Sequence, residues 1–371
     1  MKKTIYYITH WESWHWFAKY IIIGPVWLWY CIKARSLWFY TTSNPAITFG
    51  GYVGETKEEV YKLLPEGTYP KSIFISPSVS VTQVMRMMDE SSLQFPVAAK
   101  AASGIMGFMF RKLESVEHLK KYHAHMKSNY IIQEFVNYPI EVSVFYYRYP
   151  NQQKGTITGF IKKELPIVTG DGKSNLWELI QAHPRVQFKL DEMRSKHKMH
   201  LNDILEHGQQ YPLSQAFNLS RGARLVSLED QKDERLLKTF DALSHYSGKL
   251  YFGRYDIRCQ SIEDLKENKN YTILEFNGCG GEPHHVYGNE NSLWQACRIL
   301  VQHWKVLYEI SDYNHRNGHV RWPHKKAAPH FRKSIQHIIQ LKKLDKSLSI
   351  DSDVNTSLNK SIKLTPAQSY T

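Results

Sequence analysis

Two carboxylates and a carboxamide stand at a spacing that suits a hard cation. Residues 271 to 288 read YTILEFNGCGGEPHHVYG, a strand-like run that ends on Glu275 and Asn277 and then leaves regular structure at glycines 278, 280 and 281. Side chains at i and i+2 of a strand share a face, so these two can turn their oxygens toward one object beside a sheet. Upstream, GKLYFGRYDIRCQ carries Arg254 and Asp256. If residues 250 to 259 pair antiparallel with 271 to 277 through the polar turn EDLKENKN, Asp256 lies across from Glu275. Asp256, Glu275 and Asn277 then suit one or two Mg²⁺ ions, with Mn²⁺ able to substitute, because Mg²⁺ prefers carboxylates, water and substrate phosphates to a closed protein cage. The alternative is a carboxylate pair bridged by lysine or arginine.

Other stretches point to phosphate. FPVAAKAASGIMGF puts Lys100 at the end of an apolar strand and follows it with Ser103 and Gly104. A cation and exposed backbone N–H groups can hold phosphate oxygens together there; the plainer alternative is a snorkelling lysine. In YIIQEFVNYPIEVSVFYY, Glu134 closes one strand and Glu141 opens the next. Such a hinge can present backbone hydrogen bonds to adenine and a carboxylate to ribose. GFIKKELPIVTGDGKSNLWELI adds Lys162 and Lys163 on a strand before a Gly-Asp-Gly turn.

In this order the motifs make the chain resemble the ATP-grasp superfamily, most nearly carboxylate–amine ligases such as D-alanine–D-alanine ligase and cyanophycin synthetase. The resemblance covers roughly residues 70 to 310. It implies an α+β ATP-grasp fold, two α+β subdomains clasping ATP, and an enzyme that phosphorylates a carboxylate to an acyl phosphate for attack by an amine. It implies that Lys100, with Ser103 and Gly104, holds the α- and β-phosphates. Glu134 with the backbone of Phe135 and Val136 would meet adenine, Glu141 the ribose hydroxyls, and Lys162 or Lys163 the phosphate end. Asp256, Glu275 and Asn277 become Mg²⁺ ligands, and Arg254 faces the charge developing at the acyl centre. After Asn277 the chain departs from D-alanine–D-alanine ligases, so Glu282, His284 and His285 are expected to face a different acceptor. His284 or His285 is a candidate general base, although loop histidines are also plain hydrogen-bonding residues. Alternatives are a kinase that stops at phosphate transfer and a nucleotide-binding, membrane-recruited module without turnover.

The elements that must position these residues alternate from about residue 71. The patterns predict strands at 72–76, 96–100, 130–135, 140–148, 155–163, 250–259 and 271–277, and helices at 55–64, 80–91, 115–127, 174–182, 231–247 and 291–310. That order implies an α+β body at residues 71–320, and the family's Rossmann-like N-terminal domain is replaced by a Trp-rich segment and connector at 1–70. Six of the ten tryptophans lie in the first 38 residues. The uncharged run from Tyr20 to Ile32 is shorter than the roughly 18 residues of a spanning helix. An aromatic hairpin on the protein's own core or a partner, contact with a membrane interface, and a true span are the readings open to this segment.

Residues 321 to 346 hold eight Lys or Arg against one acid, and Phe331, Ile335, Ile338 and Ile339 share a helical face. This predicts a basic amphipathic helix over 321–350, docked on the body or on an anionic membrane rather than on nucleic acid, followed by a disordered tail at 351–371. The formal charge of +13 favours anionic partners. Four cysteines with neither a C-x-x-C pair nor zinc-ligand spacing suit reduced thiols in the cytoplasm, with peripheral attachment to a membrane's inner face as an option. The substrates are expected to be a small-molecule or peptide carboxylate and an amine.

Overall fold

The computed structural model describes residues 11, 16–104, 107–184, 186, 190–214, 223–288 and 291–348. The expected tail at 351–371, the last two residues of the expected basic segment and most of the first fifteen residues fall outside these. The chain forms two compact units, each mixing helices with an antiparallel sheet, so the α+β expectation holds. Of the described residues, the smaller unit takes 71–103, 108–135 and 337–348, and the larger takes those up to 70, 104, 107 and those within 136–336. The described residues up to 70 therefore belong with the body that follows, and the described part of the basic segment divides between the units.

The smaller unit has a four-stranded sheet of β1 (Ser72–Ile75), β2 (Val97–Ala101), β3 (Arg111–Leu113) and β4 (Tyr130–Glu134), in the order β1-β4-β2-β3. Helices Val81–Glu90 and Val116–His125 accompany it. The first begins with a reciprocal cap between Ser80 and Gln83, and the second with the Ser115 hydroxyl accepting from the His118 N–H. Ile73, Val84, Met88, Val97, Leu119, Tyr122 and Tyr130 share one core, which Leu341 completes.

The larger unit is built on a five-stranded antiparallel sheet. Its strands are β5 (Ile140–Tyr147), β6 (Thr156–Glu164), β9 (Arg224–Ser227), β10 (Phe252–Cys259) and β11 (Tyr271–Asn277), in the order β11-β10-β5-β6-β9. A two-stranded ribbon, β7 (Ile167–Thr169) with β8 (Gln210–Pro212), carries a satellite core around Leu176, Ile180, Met193 and Tyr211. The expected hairpin is present, with Asp256 opposite Glu275. Its polar connection contains a short helix, Ile262–Lys266, capped by Ser261.

The Trp-rich start forms no hairpin among the described residues. It is one 19-residue helix, Trp16–Ala34, with Pro25 inside it. It packs on the long helix Leu293–Arg316, where Tyr20 and Trp27 meet Trp304 and Tyr30 stacks on Tyr308 with ring centroids 4.9 Å apart. Large aromatic surfaces burying one another explain why Trp and Tyr dominate this stretch. No described helix is long and apolar enough to cross a membrane.

The expected basic helix is present as His324–Ser347. Beyond the aromatic helix, Asn44 is fully buried and closes four hydrogen bonds. Its Oδ1 accepts from the N–H groups of Tyr251 (2.8 Å) and Phe252 (3.1 Å), and its Nδ2 donates to the carbonyls of Phe252 (2.9 Å) and Gly50 (3.1 Å).

Candidate active site

The register of the larger sheet collects charge on one face. Asp256 on β10 stands opposite Glu275 on β11 and Ser143 on β5; Arg254 stands opposite Asn277; Arg258 opposite Glu141; and Glu141 opposite Lys163 on β6. Directly opposed residues of antiparallel strands project to the same side, so these side chains form one polar surface across four strands. The apolar residues alternating with them, such as Val142, Val144, Tyr255 and Ile257, are buried.

Asp256 is the centre of that surface. Its carboxylate accepts from Lys163 Nζ at 2.9 Å, Arg254 Nη2 at 3.0 Å, Arg254 Nε at 3.2 Å and Asn277 Nδ2 at 3.2 Å, and from the Ser143 hydroxyl. Lys163 also reaches Glu141 Oε1 at 3.2 Å, and Arg258 reaches Glu141 Oε2 at 3.4 Å. Burial opposes ionisation of Asp256, but Arg254 and then Lys163 outweigh it and hold the carboxyl well below its usual range. Burial likewise opposes the Lys163 ammonium, yet Asp256 and Glu141 raise its pKa.

His284 joins the cluster, its Nδ1 3.0 Å from the Ser143 hydroxyl. Burial, then Arg254 and Lys163, push its pKa well below the usual imidazole range, so the ring is neutral and retains a lone pair. Arg254 Nη1 donates to the Glu282 carbonyl at 2.7 Å, which ties this loop to β10.

The structure separates residues that the sequence left as pairs. Lys163 enters the cluster, whereas Lys162 projects from the opposite face and pairs with Glu164 at 3.1 Å. His285 turns away from the cluster toward His303, ring centroids 5.2 Å apart, in the space left by the missing Cβ of Gly159. Two candidate residues have partners within the protein. The Glu282 carboxylate accepts from the hydroxyls of Tyr20, at 2.8 Å, and Tyr287. The Glu141 carboxylate, the residue expected at ribose, is buried between Lys163 and Arg258.

Sequence reasoning missed Ser143, Lys57 and Glu55. Ser143 carries no spacing signal and is found only through strand pairing. Lys57 opens the short helix Lys57–Tyr61 and pairs with Glu275 at 3.3 Å. Glu55 lines a small cavity of about 10 Å³ with Lys57, Gly104 and Glu275, and its Oε2 is buried with no hydrogen-bond partner. Burial raises the Glu55 carboxyl to about 7, with its own backbone and Lys57 opposing and Glu275 adding to the rise.

In the smaller unit, Lys100 is half-buried on β2 opposite Ile131. The Ser103 carbonyl accepts from His337 Nε2 at 3.1 Å. Glu134 is exposed at the end of β4 and accepts from the Lys71 N–H at 3.3 Å, and the Phe135 ring lies 5.1 Å from Lys112 Nζ. In the larger unit the Val136 carbonyl accepts from Arg258 Nη1 at 3.0 Å.

The donor set at the hairpin has the chemistry for a hard cation: two carboxylates and a carboxamide on one face of β10 and β11. Among the described residues no three His, Cys, Asp or Glu side chains are grouped as metal ligands. Asp256 is neutralised by Lys163 and Arg254 and Glu275 by Lys57, so protein cations lie against the oxygens of both carboxylates.

No family model matches the chain, and no curated protein matches its sequence. Solved structures of ligases resemble it distantly. The VanG D-Ala:D-Ser ligase from Enterococcus faecalis is 12% identical, covering 68% of this chain and 61% of its own, with a TM-score of 0.39. The D-alanine–D-alanine ligase from Coxiella burnetii is 10% identical, covering 73% and 61%, with a TM-score of 0.40. A bifunctional glutathione synthetase from Pasteurella multocida is 13% identical, covering 68% and 35%, with a TM-score of 0.37. The chain thus spans from about a third to under two thirds of these proteins' lengths. They are ligases of the kind its motifs resemble, but likeness at this level assigns neither a site nor a reaction.

Proposed function

We propose that this protein is an ATP-dependent ligase that joins a carboxylate to an amine through an acyl phosphate, releasing ADP and phosphate. The observation that carries the reading is the buried Lys163–Asp256–Arg254 cluster, with Glu275 and Asn277 beside it at the sheet edge. Phosphoryl transfer asks a protein for charge neutralisation and in-line positioning more than for covalent help, and this cluster can supply both. Mg²⁺, held by Asp256, Glu275 and Asn277, would neutralise phosphate charge there.

In this reading Lys163 and Arg254 leave Asp256 for anionic oxygens: Lys163 those of the transferring phosphoryl group, Arg254 that of the acyl centre. Lys100, Ser103 and Gly104 hold the remaining phosphates, and Glu134 with the backbone of Phe135 and Val136 meets adenine. The substrate carboxylate forms a new O–P bond as the bond from phosphorus to ADP breaks. The amine nitrogen then bonds to the acyl carbon, phosphate departs with the C–O electron pair, and neutral His284 takes the amine proton.

The test is interception. With ATP and a panel of carboxylates from amino acids and peptides, hydroxylamine should yield hydroxamate and ADP in step, and His284→Ala should slow amide formation more than it weakens nucleotide binding. ADP accompanied by a hydroxylamine-resistant phosphate ester would replace the ligase with a kinase. Nucleotide binding with no ADP from any acceptor would leave a binding module.

A further inference from the structure

The aromatic helix Trp16–Ala34 is two-sided in a way its sequence does not announce. Ile23, Cys31 and Ala34 are buried, and Trp27 packs on Phe39, Tyr40 and Trp304. The opposite arc faces solvent and is apolar: Ile21, Leu28, Trp29 and Ile32 are 55–62% exposed. Next to it, Trp294 of the long helix Leu293–Arg316 is 75% exposed. Between the two helices runs an open groove of about 430 Å³, lined by Ile22, Val26, Tyr30 and Val301, with Arg298 and Lys305 among its lining residues.

Exposed large apolar side chains gathered on two adjoining helices point to an interaction site. The charges around it identify the partner. No acidic residue occurs between Glu12 and Glu55, nor between Glu290 and Glu309, and at the end of the groove Glu309 lies 3.8 Å from Lys305. The only charge among residues 20 to 34 is Lys33, whose Nζ lies 4.9 Å from the centre of the Tyr308 ring. Exposed tryptophans beside long cationic side chains match the headgroup layer, where indole rings settle and lysine or arginine reaches phosphate. A second copy related by two-fold symmetry would set Lys33, Arg298 and Lys305 close to their own like charges. Nucleic acid would leave the apolar arc uncovered.

We propose that the face formed by the helices Trp16–Ala34 and Leu293–Arg316 docks on a bilayer containing anionic lipid, with apolar chain segments entering the groove and Lys33, Arg298 and Lys305 meeting headgroups. The helix lies in the interface and does not span it. This docking is independent of the ligase reading and stands or falls by its own experiment.

The test is co-flotation of the full chain with vesicles of phosphatidylcholine alone and with added phosphatidylserine, across a salt series. Binding to the anionic vesicles should weaken as salt rises. Arg298→Gln and Lys305→Gln should each lower affinity about fivefold. Trp29→Glu with Ile32→Glu should lower it at least tenfold while the thermal melt stays unchanged, and Trp29→Ala offers a milder check. Absence of flotation at every salt concentration, or binding indifferent to the Trp29 and Ile32 substitutions, overturns the proposal. So does a concentration-dependent dimer that the same substitutions dissolve, which would assign the face to a second copy.

Discussion

Asp256 accepts from Lys163, Arg254, Ser143 and Asn277 while almost wholly buried. Replacing it with asparagine keeps the shape and removes the charge, which leaves the Lys163 ammonium to Glu141 and takes the carboxylate from the Arg254 guanidinium in a desolvated site. We expect Asp256→Asn to cost about 3–5 kcal/mol of stability in urea unfolding, and the double variant with Lys163→Met to cost less than the sum of the singles. Glu55 presents the opposite situation, a carboxyl buried without a partner for one oxygen and raised to about 7. A raised carboxyl pKa stabilises the fold only while the group is protonated, and that contribution is lost as pH rises from about 4.5 through about 7. Glu55→Gln should therefore raise the melting temperature at pH 8 and leave it nearly unchanged at pH 5; equal effects at both would remove the buried-charge explanation.

At the scale of elements, the site loop is held by backbone as much as by side chains. The carbonyls of Gly50 and Gly51 accept from the N–H groups of Cys279 (3.1 Å) and Gly280 (3.0 Å). A Cβ on Gly280 would sit 2.2 Å from the Tyr52 carbonyl oxygen, and Gly51 at φ +75° adopts a conformation that other residues rarely take. Gly280→Ala should cost at least about 1–3 kcal/mol through overpacking and should lower turnover with it, because the following Glu282 carbonyl anchors Arg254. Thermal denaturation beside an ADP-release assay checks both. These glycines were legible as turn signals, but their approach to each other, some 230 residues apart in the chain, was not. Periodicity reports only what each stretch buries, never which other stretch it meets.

For the whole molecule, pH sets a balance among buried titrating groups. His285 and His303 pack together, and burial lowers their pKa values to about 3 and about 4. Unfolded histidine takes a proton near pH 6.5, so the unfolded chain binds more protons than the folded one below that pH. Stability should fall as pH drops from about 6.5 toward 4, and Glu55 opposes only part of the loss. His303→Gln, which retains a polar side chain beside Thr158 and the Ile299 carbonyl, should flatten the acid side of the melting-temperature profile. An unchanged slope would shift the effect to other groups.

Local order determined most of the elements. Alternating apolar residues and capping pairs such as Ser80 with Gln83 and Ser292 with Gln295 set β4, β10, β11 and the helices Val81–Glu90 and Leu293–Arg316 close to where the sequence patterns put them. The facing of Asp256 and Glu275 also followed from the sequence, because a hairpin couples nearby strands through a short connection. Short edge strands such as β3, β7, β8 and β9 escaped, since three or four residues carry too little periodicity. Tertiary structure alone decided that Lys163 rather than Lys162 joins Asp256, that His284 rather than His285 stands beside Ser143, and that Trp27 is covered while Trp29 is not. Each of these depends on which strand or helix lies opposite, and a face becomes inside or outside only when its neighbour arrives.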